Sequence, residues 1–216
     1  MFKKYVLVIS MLLLFPAGVF AGNVGGLADQ MGGQLLTVTT YIGVVDRDVK
    51  IGALDEDFTS RVFGVKASYG LNDRVDVYAT IGLADIQDLG PYDCALGNMV
   101  GGGGKFLIIE GANGTRLTLN GDARILRTDD GAIDVEYREI SAALIVSKKV
   151  GNLTPFGGVK LSEVDIDIDQ DKDAEEEKGT GLFAGVDYFV NPNVYFTGEI
   201  HVFAENTLYA GVGYNF

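Results

Sequence analysis

The chain has 216 residues, with 17 Lys and Arg against 30 Asp and Glu and a net charge of −13. Such acidity excludes nucleic acid as a partner class, because a polyanion is bound through a cationic face that releases its counterions. One cysteine, Cys94, excludes an internal disulfide framework and multi-cysteine metal centres, and one histidine, His201, excludes any site that needs two imidazoles.

Residues 1–21 begin with Lys3 and Lys4, continue through an apolar stretch from Tyr5 to Phe15, and end in Val19, Phe20 and Ala21. A basic start, a short apolar core and small residues at the end predict a cleaved signal peptide, with the cut after Ala21. Pro16 and Gly18 interrupt the stretch where a membrane anchor of about 20 apolar residues would have to continue. No cysteine follows, so a lipid anchor is not expected. Residues 22–34 read as a lead into the folded part, which is expected over 35–216.

From residue 35 onwards the period of the sequence is two. Val75, Val77, Ala79, Ile81 and Leu83 alternate with Asp76, Tyr78 and Thr80, and Leu117, Leu119, Ala123 and Ile125 alternate with Thr118, Asn120, Asp122 and Arg124. A strand carries this pattern and a helix cannot. Strands are predicted near 35–45, 59–69, 75–83, 99–109, 115–126, 134–147, 154–166, 181–190, 194–203 and 206–216. Tight turns are expected at 70–74, 111–114, 150–153 and 191–193, from their Gly, Asn, Asp and Pro content. Longer polar connections are expected near 46–58, 84–98, 127–133 and 167–180, with a brief one at Glu205. The segments are about as long as the 9 to 11 residues that a tilted membrane-spanning strand needs, whereas globular strands are usually about 5 to 6. Short and long connections alternate along an even number of strands, as in an up-and-down antiparallel barrel. Ten strands are expected, with eight as the alternative.

Several local features carry a possible chemistry and a plainer structural reading. Gly101 to Gly104 before Lys105 fails as a phosphate loop, because Met99 and Phe106 stand where a glycine and a hydroxyl residue are required; the run is expected to permit close backbone approach within a strand. From Glu163 to Glu177 there are nine acids and one lysine, with Asp165, Asp167, Asp169, Asp171 and Asp173 at every second position and Glu175, Glu176 and Glu177 after them. This is expected to be a strand leaving the membrane and passing into an acidic external loop that attracts divalent cations by its potential. Cys94 is placed in a connection. Tyr69, Tyr188, Phe189 and Phe216 fall near strand ends, as interfacial aromatic girdles do.

The final strand, Tyr209-Ala210-Gly211-Val212-Gly213-Tyr214-Asn215-Phe216, resembles the terminal strand of bacterial outer-membrane β-barrel proteins, which ends in Phe after alternating apolar residues. The resemblance implies a transmembrane barrel in the outer membrane, with both termini and the 22–34 lead on the periplasmic side. It also implies that Ala210, Val212, Tyr214 and Phe216 form the signal for the barrel assembly machinery, and that lipid and lipopolysaccharide surround the wall.

In a membrane barrel the polar row lines the lumen. Asn120, Asp122, Arg124, Tyr195, Glu199 and His201 are the candidates for that lining, with opposite charges able to pair in a lumen too narrow to stay open. The preferred function is therefore non-enzymatic: a structural or surface-interacting barrel with a side-chain-filled lumen and no cofactor. A narrow cation-preferring channel is the alternative. A lipid-modifying hydrolase centred on His201 and Glu199 stands behind both, because Phe203 occupies the position where a lipid A deacylase of this type carries its serine.

Overall fold

An extended strand directs its backbone N–H and C=O groups sideways, and in hydrocarbon each group must find a partner within the protein. The alternating segments satisfy this by pairing in chain order and closing on themselves. The structure, a computed structural model, describes residues 35–51, 54–89, 92–129, 133–168, 172–175 and 179–216; the expected signal peptide and the 22–34 lead lie outside the described residues. The strands are β1 (Leu36–Ile51), β2 (Leu54–Asn72), β3 (Val75–Leu89), β4 (Tyr92–Glu110), β5 (Thr115–Asp129), β6 (Asp134–Lys148), β7 (Leu153–Ile168), β8 (Lys172–Glu175), β9 (Gly179–Asn191), β10 (Val194–Val202) and β11 (Asn206–Asn215). All pairings are antiparallel. β11 closes on β1 from Thr37↔Asn215 to Asp46↔Asn206, which makes a ten-stranded up-and-down barrel of all strands except β8. Leu36, Asn215 and the tight turns at 73–74, 111–114, 149–152 and 192–193 share one rim, called here the near rim.

The expected long connections are the main correction. Strand structure continues through 46–51, 54–58, 84–89, 92–98 and 127–129, so these segments form hairpins that extend the wall. Cys94 accordingly lies inside β4, paired through Ile86 and buried. The 167–180 segment contains the four-residue strand β8, which pairs with β7 at Asp165↔Glu175 to Ile168↔Lys172 and with β1 at Lys50↔Glu175 and Ile51↔Ala174. The wall therefore closes twice. Ten strands enclose the near half, and β1 to β8 enclose the far end.

The reason these hairpins were taken for loops is an inversion of polarity along the strands. In the near half the outward positions are apolar, as at Val194, Phe196, Ile200 and Val202 of β10, and the inward ones are Tyr195, Thr197, Glu199 and His201. Past the belt the rule reverses: on β7 Val164, Ile166 and Ile168 are buried, whereas Asp165 and Asp167 are exposed. β1 does the same, with Val45 and Val49 inside and Asp46 and Asp48 outside. A wall surrounded by lipid hides polar groups, and a wall surrounded by water hides apolar ones. The parity of each strand is continuous; only the solvent changes.

The lumen is filled partly by aromatic rings lying over glycines on the neighbouring strand. Tyr41 pairs with Gly64, Tyr209 with Gly43, Tyr78 with Gly103, Phe156 with Gly185 and Tyr195 with Gly213. At Gly213 the need is steric, because an added Cβ would sit 2.1 Å from the Tyr195 ring. Such aromatic cover of strand glycines holds register in curved sheets. Gly103 in the four-glycine run follows the same logic: a Cβ there would meet Tyr78 Oη at 2.6 Å, so the run is structural, as expected.

Candidate functional site in the lumen

The inward positions stack in three levels from the near rim upwards. Near the rim, Tyr195 Oη and Thr39 Oγ1 hydrogen bond across β10 and β1 at 2.5 Å. One level higher, Asn120 Nδ2 donates to Asp122 Oδ2 at 3.2 Å, Ser141 Oγ donates to the same oxygen at 3.0 Å, and Tyr78 Oη donates to Asn120 Oδ1 at 3.0 Å. Lys66 is buried here with its Nζ 4.2 Å from the centre of the Tyr78 ring.

The third level is an ion-pair layer where the barrel changes from polar-filled to apolar-filled. Glu139 on β6 is its centre: Oε1 lies 2.8 Å from Lys160 Nζ and 3.5 Å from Arg47 Nη2, and Oε2 lies 3.1 Å from Arg124 Nε. Tyr137 Oη also donates to Glu139 Oε2 at 2.8 Å and accepts from Arg47 Nη1 at 3.0 Å. From the β10–β11 turn, Glu205 accepts from Lys160 Nζ at 2.8 Å, stands 2.7 Å from His201 Nδ1 and pairs with Arg47. His201 Nε2 faces Glu199 Oε1 at 2.5 Å, with its ring between Phe183 and Tyr209. Three cations therefore meet three carboxylates and an imidazole in a layer where Arg47, Glu139 and Lys160 are 2% exposed or less. Buried charges persist only when paired and hydrogen-bonded, and this set is.

Above the layer the lumen is an apolar core that includes Val45, Val49, Phe58, Val62, Ile86, Cys94, Met99, Leu126, Val164, Ile166 and Ile168. A cavity of about 30 Å³ lies where core and layer meet, walled by Val45, Phe58, Met99 and Leu126 and floored by Arg124, Glu139 and Glu205. That volume suits a water or two and little else.

All six lumen candidates of the sequence face inward, but they do not form one site. Asn120 and Asp122 share the middle level, Arg124, Glu199 and His201 belong to the ion-pair layer, and Tyr195 sits near the rim. Sequence reasoning missed Arg47, Glu139, Lys160 and Glu205. Strand parity was available for two of them: Glu139 alternates with Ile140 and Ala142, and Lys160 with Val159 and Leu161. Arg47 and Glu205 had been assigned to connections, where parity has no meaning.

The acidic run divides. Asp165 and Asp167 project outward from β7 beyond the belt, 3.4 and 3.9 Å from the Arg138 guanidinium. Asp173 and Glu175 belong to the backbone of β8, while Asp169, Asp171, Glu176 and Glu177 lie outside the described residues. No group of three or more acid, His or Cys side chains able to hold a metal is gathered among the described residues. On this outer face Glu136 accepts from Arg127 Nε at 2.5 Å and Arg138 Nε at 2.6 Å, and these hydrogen bonds hold its carboxyl below the usual glutamate range. In the terminal strand, Ala210, Val212, Tyr214 and Phe216 fall on the outward parity, and Phe216 N donates to Leu36 O at 2.9 Å, which carries the closure to the end of the chain.

No family model and no curated protein matches the chain. Solved structures do resemble it. An outer membrane channel from Pseudomonas putida F1 superimposes with a TM-score of 0.55 at 14% identity, over 94% of this chain and 100% of that one. The translocator domain of the autotransporter NalP from Neisseria meningitidis aligns with a TM-score of 0.47 at 12% identity, over 89% of this chain and 93% of the other. At these identities the likeness is one of fold. It is the antiparallel barrel of bacterial outer-membrane proteins, with ten strands as the sequence led us to expect.

Proposed function

We propose that this chain is a non-enzymatic barrel of the bacterial outer membrane, closed at rest, which carries an eight-stranded section beyond the membrane as its interaction surface. The observation that supports it best is the pair of stacked obstructions in the lumen: the layer centred on Glu139, Lys160, Arg47 and Glu205, and the apolar core above it. An aqueous pore needs a continuous polar path, and an apolar plug above paired charges interrupts it. The hydrolase alternative loses its support at His201, which is 3% exposed with both ring nitrogens engaged by Glu199 and Glu205. A general base must reach a substrate proton.

On this reading the near rim faces the periplasm, and Ala210, Val212, Tyr214 and Phe216 guide assembly. The outward acids past the belt, Asp46, Asp48, Asp165 and Asp167 among them, meet the lipopolysaccharide zone through divalent cations. The test is conductance of the refolded protein in planar bilayers, after confirming the gel shift on boiling that folded barrels show. Folded, silent protein supports the reading. Steady current from the wild type overturns it.

A further inference from the structure

Three strands end early on one side of the barrel. β9, β10 and β11 reach Gly179, Val202 and Asn206, and beyond them the single short strand β8 joins β7 to β1. Along β7 the partner changes from β9 at Ser162 to β8 at Asp165, and along β1 from β11 at Asp46 to β8 at Lys50. Among the described residues no strand pairs across these intervals. The wall thus has a window between β8 and the β10–β11 turn, just past the lipid-facing belt.

The ion-pair layer lies behind this window, and the turn supplies part of it. Arg47 occupies the unpaired interval of β1 and points inward. Glu205 reaches in from the turn to Lys160, His201 and Arg47. The turn itself is strained: Phe203 has a φ of 84° and a ring that is 76% exposed. A bulky residue in the left-handed region costs free energy and persists only where its surroundings hold it. The buried grip on Glu205, two residues on, is what holds it.

We propose that the Phe203–Glu205 turn is a latch on this window, with Glu205 as its catch, and that its release opens a path for small anions from the polar lumen to the far side, bypassing the apolar core. This rests on the reading above that the resting lumen is closed. With Glu205 withdrawn, Arg47, Arg124 and Lys160 face Glu139, so the exposed constriction is cationic and attracts anions.

The test compares the wild type with Glu205→Gln in planar bilayers, each shown to be heat-shiftable. A second pair of proteins adds Gly181→Cys and Ala204→Cys in a Cys94→Ala background. A Cβ built on Gly181 lies 3.3 Å from that of Ala204, close enough for a disulfide that ties the turn to β9. Glu205→Gln is expected to raise open time roughly tenfold or more over the wild type, with anion-preferring reversal potentials, as loss of one buried catch shifts a two-state equilibrium. Oxidation of the cysteine pair should silence those steps and reductant should restore them. A folded Glu205→Gln barrel that stays silent, or one whose steps ignore the disulfide, overturns the latch while leaving the closed lumen intact. Steady wild-type current that ignores the disulfide overturns both. If Glu205→Gln does not give the folded form, Lys160→Met removes the catch's main partner and is judged by the same two results.

Discussion

Replacing Glu139 by glutamine is expected to be among the most destabilising single changes in this barrel. The carboxylate is 2% exposed and its two oxygens contact Lys160 at 2.8 Å, Arg124 at 3.1 Å, Arg47 at 3.5 Å and the Tyr137 hydroxyl at 2.8 Å. A glutamine keeps the volume and loses the charge, leaving three cations to share Glu205, which is itself on the far side of the layer. Removing one partner of a buried ion pair costs about 3 to 5 kcal/mol, chiefly because the remaining charge stays buried without compensation. An exposed pair behaves differently: Arg127 and Glu136 lie close together, yet the Arg127 side chain is 72% exposed, and loss of such a pair is worth about 0 to 1 kcal/mol. Urea unfolding in lipid vesicles, followed by the gel shift, should therefore separate Glu139→Gln from Arg127→Ala by several kcal/mol. Equal, small effects for the two would show that water reaches the layer and would remove the closed lumen from the argument.

Other expectations follow from the same geometry. Gly213→Ala places a Cβ 2.1 Å from the Tyr195 ring and should cost about 1 to 3 kcal/mol by overpacking; adding Tyr195→Ala should make the glycine substitution itself nearly neutral, and a double mutant showing the full single-mutant cost would argue against this contact. Leu144→Arg, in the outward belt of β6, should destabilise by about 2 to 4 kcal/mol in vesicles, whereas Asp165→Arg, outward but past the belt, should be close to neutral. The same penalty at both positions would misplace the membrane boundary. Glu136 is held below its usual carboxyl range by Arg127 and Arg138. Its contribution is present above the unfolded glutamate pKa of about 4.3 and is lost as pH falls through the lower folded value. NMR titration of the Glu136 carboxyl should show that lowered midpoint, and Arg127→Ala combined with Arg138→Ala should return it to the ordinary value.

How much was legible in advance differs from element to element. β10 could be read residue by residue, because Val194 to Val202 alternates without a break and sits wholly within the belt. β7 was read only to Glu163 or so, since beyond it the outward residues become Asp165 and Asp167 and the segment acquires the composition of a loop. Parity continued there; what changed was the solvent outside the wall, which no residue names. The charged layer was half visible for the same reason. Arg124, Glu199 and His201 lie in strands whose period was read correctly, while Arg47 and Glu205 lie in stretches taken for connections. Even with every inward residue known, the meeting of Glu139 with Lys160, Arg47 and Arg124 could not be inferred, because the four sit on β6, β7, β1 and β5 and only barrel closure brings β1 around to them.

The sequence by itself determined the class of fold, the spanning length of the strands and which side chains face inward, because these depend on a local period of two set by backbone stereochemistry and on burial in one kind of solvent. Tertiary structure decided the rest. It alone set the double closure through β8, the inversion to an apolar interior past the belt and the convergence of charges from distant strands, since each depends on strand register around a closed wall, and register is a relation between segments that no single segment encodes.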